Sequence, residues 1–108
     1  MKYPYSFRTL LVGNSRVLAM DLPEEISLVS TFLICDVQKN GDWVLTQIDE
    51  VLSGKYLNRQ IEGNVFRLEI AADYCTLHDM LSEEVTACTI ETKELEEIIR
   101  LWICEHHC

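Results

Sequence analysis

Two Gly-Asn pairs each interrupt a β-rich run: TLLVGNSRVLAM around Gly13-Asn14, and RQIEGNVFRLEI around Gly63-Asn64. Glycine reaches positive φ without steric cost. A two-residue loop that begins with it gives the I′ or II′ turn matching the twist of paired antiparallel strands. Residues 7–12 are therefore predicted to pair with residues 15–20, and residues 57–62 with residues 65–70. After the second turn Phe66, Leu68 and Ile70 alternate with Val65, Arg67 and Glu69, the pattern of a strand with one wet face. The flanks of the two stretches differ, so the likeness is one of turn chemistry and not of a repeat.

The rest of the chain fits around these hairpins. In DLPEEI, Asp21 is suited to cap a short helical turn and Pro23 to start it. Residues 29–37, VSTFLICDV, are β-branched and apolar and predict a buried strand. In residues 42–53, Val44, Leu45, Ile48, Val51 and Leu52 fall at helical spacing, and Gly54 stands where a C-terminal cap belongs. Asp42, Asp49 and Glu50 occupy the other side of that helix. Residues 71–84 predict a loop with a short extended piece at 76–78, and residues 85–90 a last strand. Thr92 then caps a helix with Glu94, Glu96 and Glu97 in its first turns and a stripe of Leu95, Ile98, Ile99, Trp102 and Ile103. The expectation is one α+β domain over residues 1–108, a mostly antiparallel sheet with two main helices on one face.

Composition narrows the function. Eighteen acids against nine bases give a net charge of −9 on 108 residues. Such a field repels nucleic acid and anionic lipid and speeds encounter with basic partners. No apolar run approaches the roughly 20 residues that cross a bilayer. Pro4, Ser6 and Arg8 interrupt the apolar stretch near the start, so no signal peptide is expected. Five cysteines without a disulfide pattern fit reduced thiols in a cytoplasm, with Cys35 and Cys88 as small core residues.

Candidate chemistry is sparse. In the closing CEHHC, Cys104, His107 and Cys108 could converge on a metal if the helix continues, but a closed zinc site needs a fourth ligand. Cys75 and His78 are the donors left for that role, from what reads as a distant loop. A polar helix end with cationic histidines at its negative pole is the expected form, with no metal and no cofactor. Cys75 with His78 is also a poor nucleophile, since Asp73, Asp79, Glu83 and Glu84 would raise its thiol pKa. No Ser-His-Asp pattern or phosphate-cradling glycine loop is present, so no enzyme is expected.

The segment Thr92, Leu95, Ile98, Ile99 and Trp102, following a β-branched strand, resembles the end of many small bacterial proteins encoded beside toxins. Size, acidity and α+β layout are also similar to immunity proteins of contact-dependent growth inhibition systems. That resemblance implies a cytoplasmic, non-enzymatic protein whose partner is a cognate toxin. A toxin that cuts RNA or DNA needs a basic cleft, which carboxylates can occlude where phosphates would lie. The carboxylates best placed for this are Asp42, Asp49 and Glu50 on the first long helix, joined by Glu24 and Glu25 on the preceding turn. An uncharacterised adaptor or a zinc-binding regulatory module is the alternative.

Overall fold

The computed structural model describes residues 1–82, 84 and 86–107. Glu83, Val85 and Cys108 lie outside these, and with them the predicted start of the last strand and one candidate zinc ligand.

The first Gly-Asn pair closes the predicted hairpin. Strands β1 (Ser6–Val12) and β2 (Ser15–Asp21) pair antiparallel, with Val12 opposite Ser15 and Phe7 opposite Met20. Gly13 alone of the turn pair takes positive φ, at 62°, which makes the turn type II′. Asp21 does not cap a helix; it pairs with Arg8 across the hairpin at 2.8 Å, and the 3₁₀ turn Glu24–Ile26 starts from Pro23 without it.

The second pair works differently. Strands β3 (Asn58–Glu62) and β4 (Phe66–Ala71) are antiparallel, but Glu62 faces Arg67 and not Val65. The register is two residues off the predicted one because the turn is longer. Its amides turn away to a side chain: Asp36 accepts the N–H groups of Asn64 (3.1 Å), Val65 (3.1 Å) and Phe66 (2.8 Å). Gly63 is needed for closeness, since a Cβ there would collide with the Asp36 carboxyl group and lie 2.8 Å from its Cβ. A slip of two preserves facing, so Phe66, Leu68 and Ile70 still point into the core.

Strands β5 (Tyr74–Asp79) and β6 (Ala87–Glu91) complete a four-stranded antiparallel sheet ordered β3-β4-β5-β6, apart from the β1–β2 hairpin. Cys75 therefore belongs to a strand and not to a surface loop. It is wholly buried, its thiol meets the Thr92 hydroxyl at 3.4 Å, and burial, not neighbouring acids, raises its pKa.

Residues 29–37 are not a strand. They form helix α1 (Ser27–Phe32) running into a π-helical turn, Leu33–Val37. Ile26, Val29, Leu33 and Val37 recur at helical spacing and are all at most 1% exposed. The mostly apolar, β-branched run hid that period, and tertiary burial overrode β-branched propensity. Gln38 ends the π turn at φ 48°, ψ −119°, and Asn40 N–H bonds the Val37 carbonyl at 2.8 Å. That is a II′ turn with Gln where Gly is usual.

Helix α2 (Gly41–Leu52) ends as predicted. Gly54 sits at φ 86°, and the Gly54 and Lys55 amides reach back to the Val51 and Glu50 carbonyls. Helix α3 (Thr92–His106) buries Leu95, Ile98, Ile99 and Trp102 against the sheet and α2. Thr92 is not its cap: wholly buried, it donates its hydroxyl to the Ala71 carbonyl. The molecule is α+β, one helical layer on one face of the main sheet. The thinnest dimension, 23 Å, suits two layers of about 10 Å each.

A candidate partner-binding cleft

The sequence-predicted carboxylates do not form one strip. Asp42 is exposed on the first turn of α2. Asp49 lies one side of that helix against α3, held by Arg100 at 3.4 Å, and Arg100 also reaches Glu96 at 3.4 Å. A hydrogen bond shared with Asp49, and then partial burial, push the Glu96 carboxyl above its ordinary pKa. Glu50 faces the other way, paired with Lys55 at 2.9 Å and reached by Arg59 of β3 at 4.0 Å. Glu24 and Glu25 are exposed beside β6, across the sheet from β3. Two of the five carboxylates are thus already partnered within the chain.

The metal-ligand candidates are similarly dispersed. Cys75 points into the core, while His78, three residues on, lies on the opposite face of β5 near Glu69 at 3.5 Å. Cys104 is exposed near the end of α3. His106 packs its ring 4.6 Å from Trp102, and burial there lowers its pKa, which works against the cationic form expected at a helix end. Among the described residues no three His, Cys, Asp or Glu side chains come together to hold a metal. No described helix is long and apolar enough to cross a membrane.

A different site stands out beside α2. A cleft of about 460 Å³ lies between the π turn, the first half of α2 and the β3–β4 turn. Its apolar lining is Phe32, Val37, Val44 and Ile61; Asn40 and Glu62 are exposed at its edge, and Asp36 closes one wall. Trp43 stands over it, 54% exposed, where an amphipathic helix would normally place a polar residue. Tryptophan is enriched among the anchor residues of protein interfaces. The charged groups lining the cleft are both carboxylates. The helical period of residues 42–53 already put Trp43 on the wet side; that mismatch was the signal in the sequence.

The backbone explains the cleft's shape. Gly41 lets α2 approach α3 closely, since a Cβ there would fall 2.5 Å from Ile103 Cγ1. The Trp102 indole donates to the Gln38 carbonyl at 2.8 Å and holds the strained turn that leads into α2. Asp36 fixes the opposite wall through the three amides of the β3–β4 turn.

Neither a family model nor a solved structure matches the chain. A curated protein of Bacillus cereus does: it is called an immunity protein and is 45% identical over 104 residues, spanning 94% of this chain and 86% of its own. Identity at that level over nearly the whole length of both shows that this chain belongs to the same family as that immunity protein.

Proposed function

We propose that the protein neutralises a cognate toxin delivered between bacterial cells on contact, that the toxin is a nuclease, and that inhibition is by covering its basic active-site cleft. The family supports toxin neutralisation in general. The charge of −9, and the likeness of size, acidity and α+β layout to contact-dependent immunity proteins, support the finer reading. One observation carries it: Trp43 stands exposed at the edge of a cleft, next to the exposed Asp42 in the first turn of α2. Trp43 supplies the anchor, and Asp42 beside it meets a cation that would otherwise hold a phosphate. Asp49, Glu50, Glu24 and Glu25 add to the long-range field that steers encounter. The protein performs no reaction of its own and works in the cytoplasm, where a nuclease meets its substrate.

The test is co-expression with the toxin domain encoded beside the protein's own reading frame. Wild type restores growth and binds the domain, with an association rate that falls steeply as salt is raised. Trp43→Ala weakens the complex by at least about 2 kcal/mol, the range of an anchor residue, without lowering the melting temperature. A wild-type chain that binds no such domain sinks the proposal, and unchanged binding by Trp43→Ala moves the interface elsewhere.

A further inference from the structure

We propose that β1 is a docking strand for a second copy of this chain, and that two copies pair edge to edge into a weak dimer with a continuous sheet, β2-β1-β1-β2. The inference is independent of where a toxin binds. In the two-stranded sheet β2 is the inner strand, against α1 and the π turn, and β1 is the outer one. In a two-residue hairpin the residues flanking the turn bond each other, so Val12 with Ser15, and every second pair below them, point their amides inward. The N–H and C=O groups of Phe7, Thr9 and Leu11 therefore point outward. Among the described residues no turn or loop carbonyl reaches those amides.

Natural edge strands are short, charged, kinked or covered, because an open one is a template for another chain. The other edges of this molecule follow that rule. Strand β3 has 5 residues and carries Arg59 and Glu62, and β6 has the 3₁₀ turn Glu24–Ile26 packed beside it. Strand β1, SFRTLLV, has 7 residues and no proline, and Leu11 and Val12 are 74% and 60% exposed. Its only charged side chain, Arg8, is engaged by Asp21 of its own hairpin.

Self-pairing fits this edge in detail. With Thr9 opposite Thr9 of the second copy, every outward amide and carbonyl of both β1 strands is bonded. Phe7 then faces Leu11 of the copy on one side of the sheet, an aromatic–aliphatic pair. On the other side the Arg8 stem lies over Leu10, and no like charges stand directly opposed. Charge favours the same guest. The hairpin carries Arg8 and Arg16 against Asp21, net positive in a chain of −9, so copies meet here without setting carboxylate against carboxylate. A basic partner is drawn to the acidic remainder instead. A single strand pair buries less than the roughly 800 Å² per partner of a standard interface, which keeps the dimer weak.

The test is sedimentation equilibrium of the full chain from about 10 µM to about 1 mM, at about 0.15 M salt to screen the net charge. With a dissociation constant of order 100 µM, about a seventh of the chains are paired at the lower concentration and about four-fifths at the upper. Hydrogen exchange at the Phe7, Thr9 and Leu11 amides slows about fourfold over that range, while the Arg16 amide, outward on the β2 side, does not change. Thr9→Pro removes a bonding amide, and Leu11→Lys sets an ammonium against Phe7 of the copy; each is monomeric at the upper concentration. Leu11→Lys keeps the wild-type melting temperature. Leu57→Lys, at an exposed site outside the hairpin, leaves pairing intact. A wild-type monomer at the upper concentration, a dimer that persists in both hairpin variants, or protection that appears elsewhere overturns the proposal. So does a wild-type monomer whose complex with the toxin domain is weakened by Leu11→Lys, which assigns the edge to the toxin.

Discussion

Asp36 satisfies three backbone amides with one carboxylate, and Gly63 leaves the room for it. Asp36→Ala strands those donors and should destabilise the fold by about 2–3 kcal/mol. Gly63→Ala should cost a similar amount by displacing the same carboxylate. The double variant should cost little more than either alone, because both remove one interaction; chemical denaturation of the four proteins measures this. Full additivity would show that the two residues act separately. Gln38 gives the opposite sign. Its φ of 48° is strained for a side-chain-bearing residue, at a cost of order 1–3 kcal/mol. Gln38→Gly relieves this, loses an exposed hydrogen bond to the Cys35 carbonyl, and adds chain entropy to the unfolded state. A gain of about 1 kcal/mol is expected, read as a higher denaturant midpoint. At this scale the sequence was partly legible. It read Gly63 as the lead of a two-residue turn, but the structural reason for glycine there, a carboxylate 27 positions earlier, exists only in three dimensions. The same holds for Asp49: helical phase placed it outside, yet Arg100, which occupies it, lies 51 positions on, while Glu50 is taken by Lys55 and Arg59 just past the end of its helix.

Among the elements, those built on local chemistry were readable and those defined by burial were not. A Gly-led turn fixed β1 against β2, and period and caps fixed α2 and the apolar stripe of α3. In the run VSTFLICDV the helical period of Val29, Leu33 and Val37 was masked by the other apolar and β-branched residues between them. Strand β5 was obscured because Cys75 and Leu77 are its inward residues and its other side is polar. Trp43 is an apolar residue on the wet side of a helix, a mismatch that the sequence reading passed over in favour of the surrounding acids. The segment before β1 illustrates how elements are tied by charge. Glu91, ending β6, accepts both the Lys2 ammonium at 2.6 Å and the Tyr3 hydroxyl at 2.6 Å. The Lys2 hydrogen bond first, and the Tyr3 hydroxyl next, hold its pKa down from 4.5 to about 2. A depressed carboxylate stabilises the folded state above the unfolded pKa and loses that contribution as protons are taken up. The tether is therefore intact above about pH 4.5 and is released as pH falls toward 2. Tyr3 ring signals followed by NMR should move across that window in wild type. In Glu91→Gln they should already be displaced at neutral pH and show no such step.

At the scale of the whole molecule, α3 is the piece that closes everything. It covers α2, lies on β5 and β6, receives the tether at Lys2, and through Trp102 holds the turn under Trp43. A chain stopped after Glu91 would leave Val44, Ile48 and Val51 without their cover and the turn at Gln38 without its anchor. Such a chain should be insoluble or lack a cooperative melt, and adding residues 92–107 back as a peptide should restore one if α3 acts only by docking. The ribosome meets this feature in a fixed order. Every other described element emerges before α3, so the cleft cannot take its final shape while the chain is still being extended through residue 102. An immunity protein of this fold should therefore already be made when its toxin is met, because the cleft is unfinished until helix α3 is out.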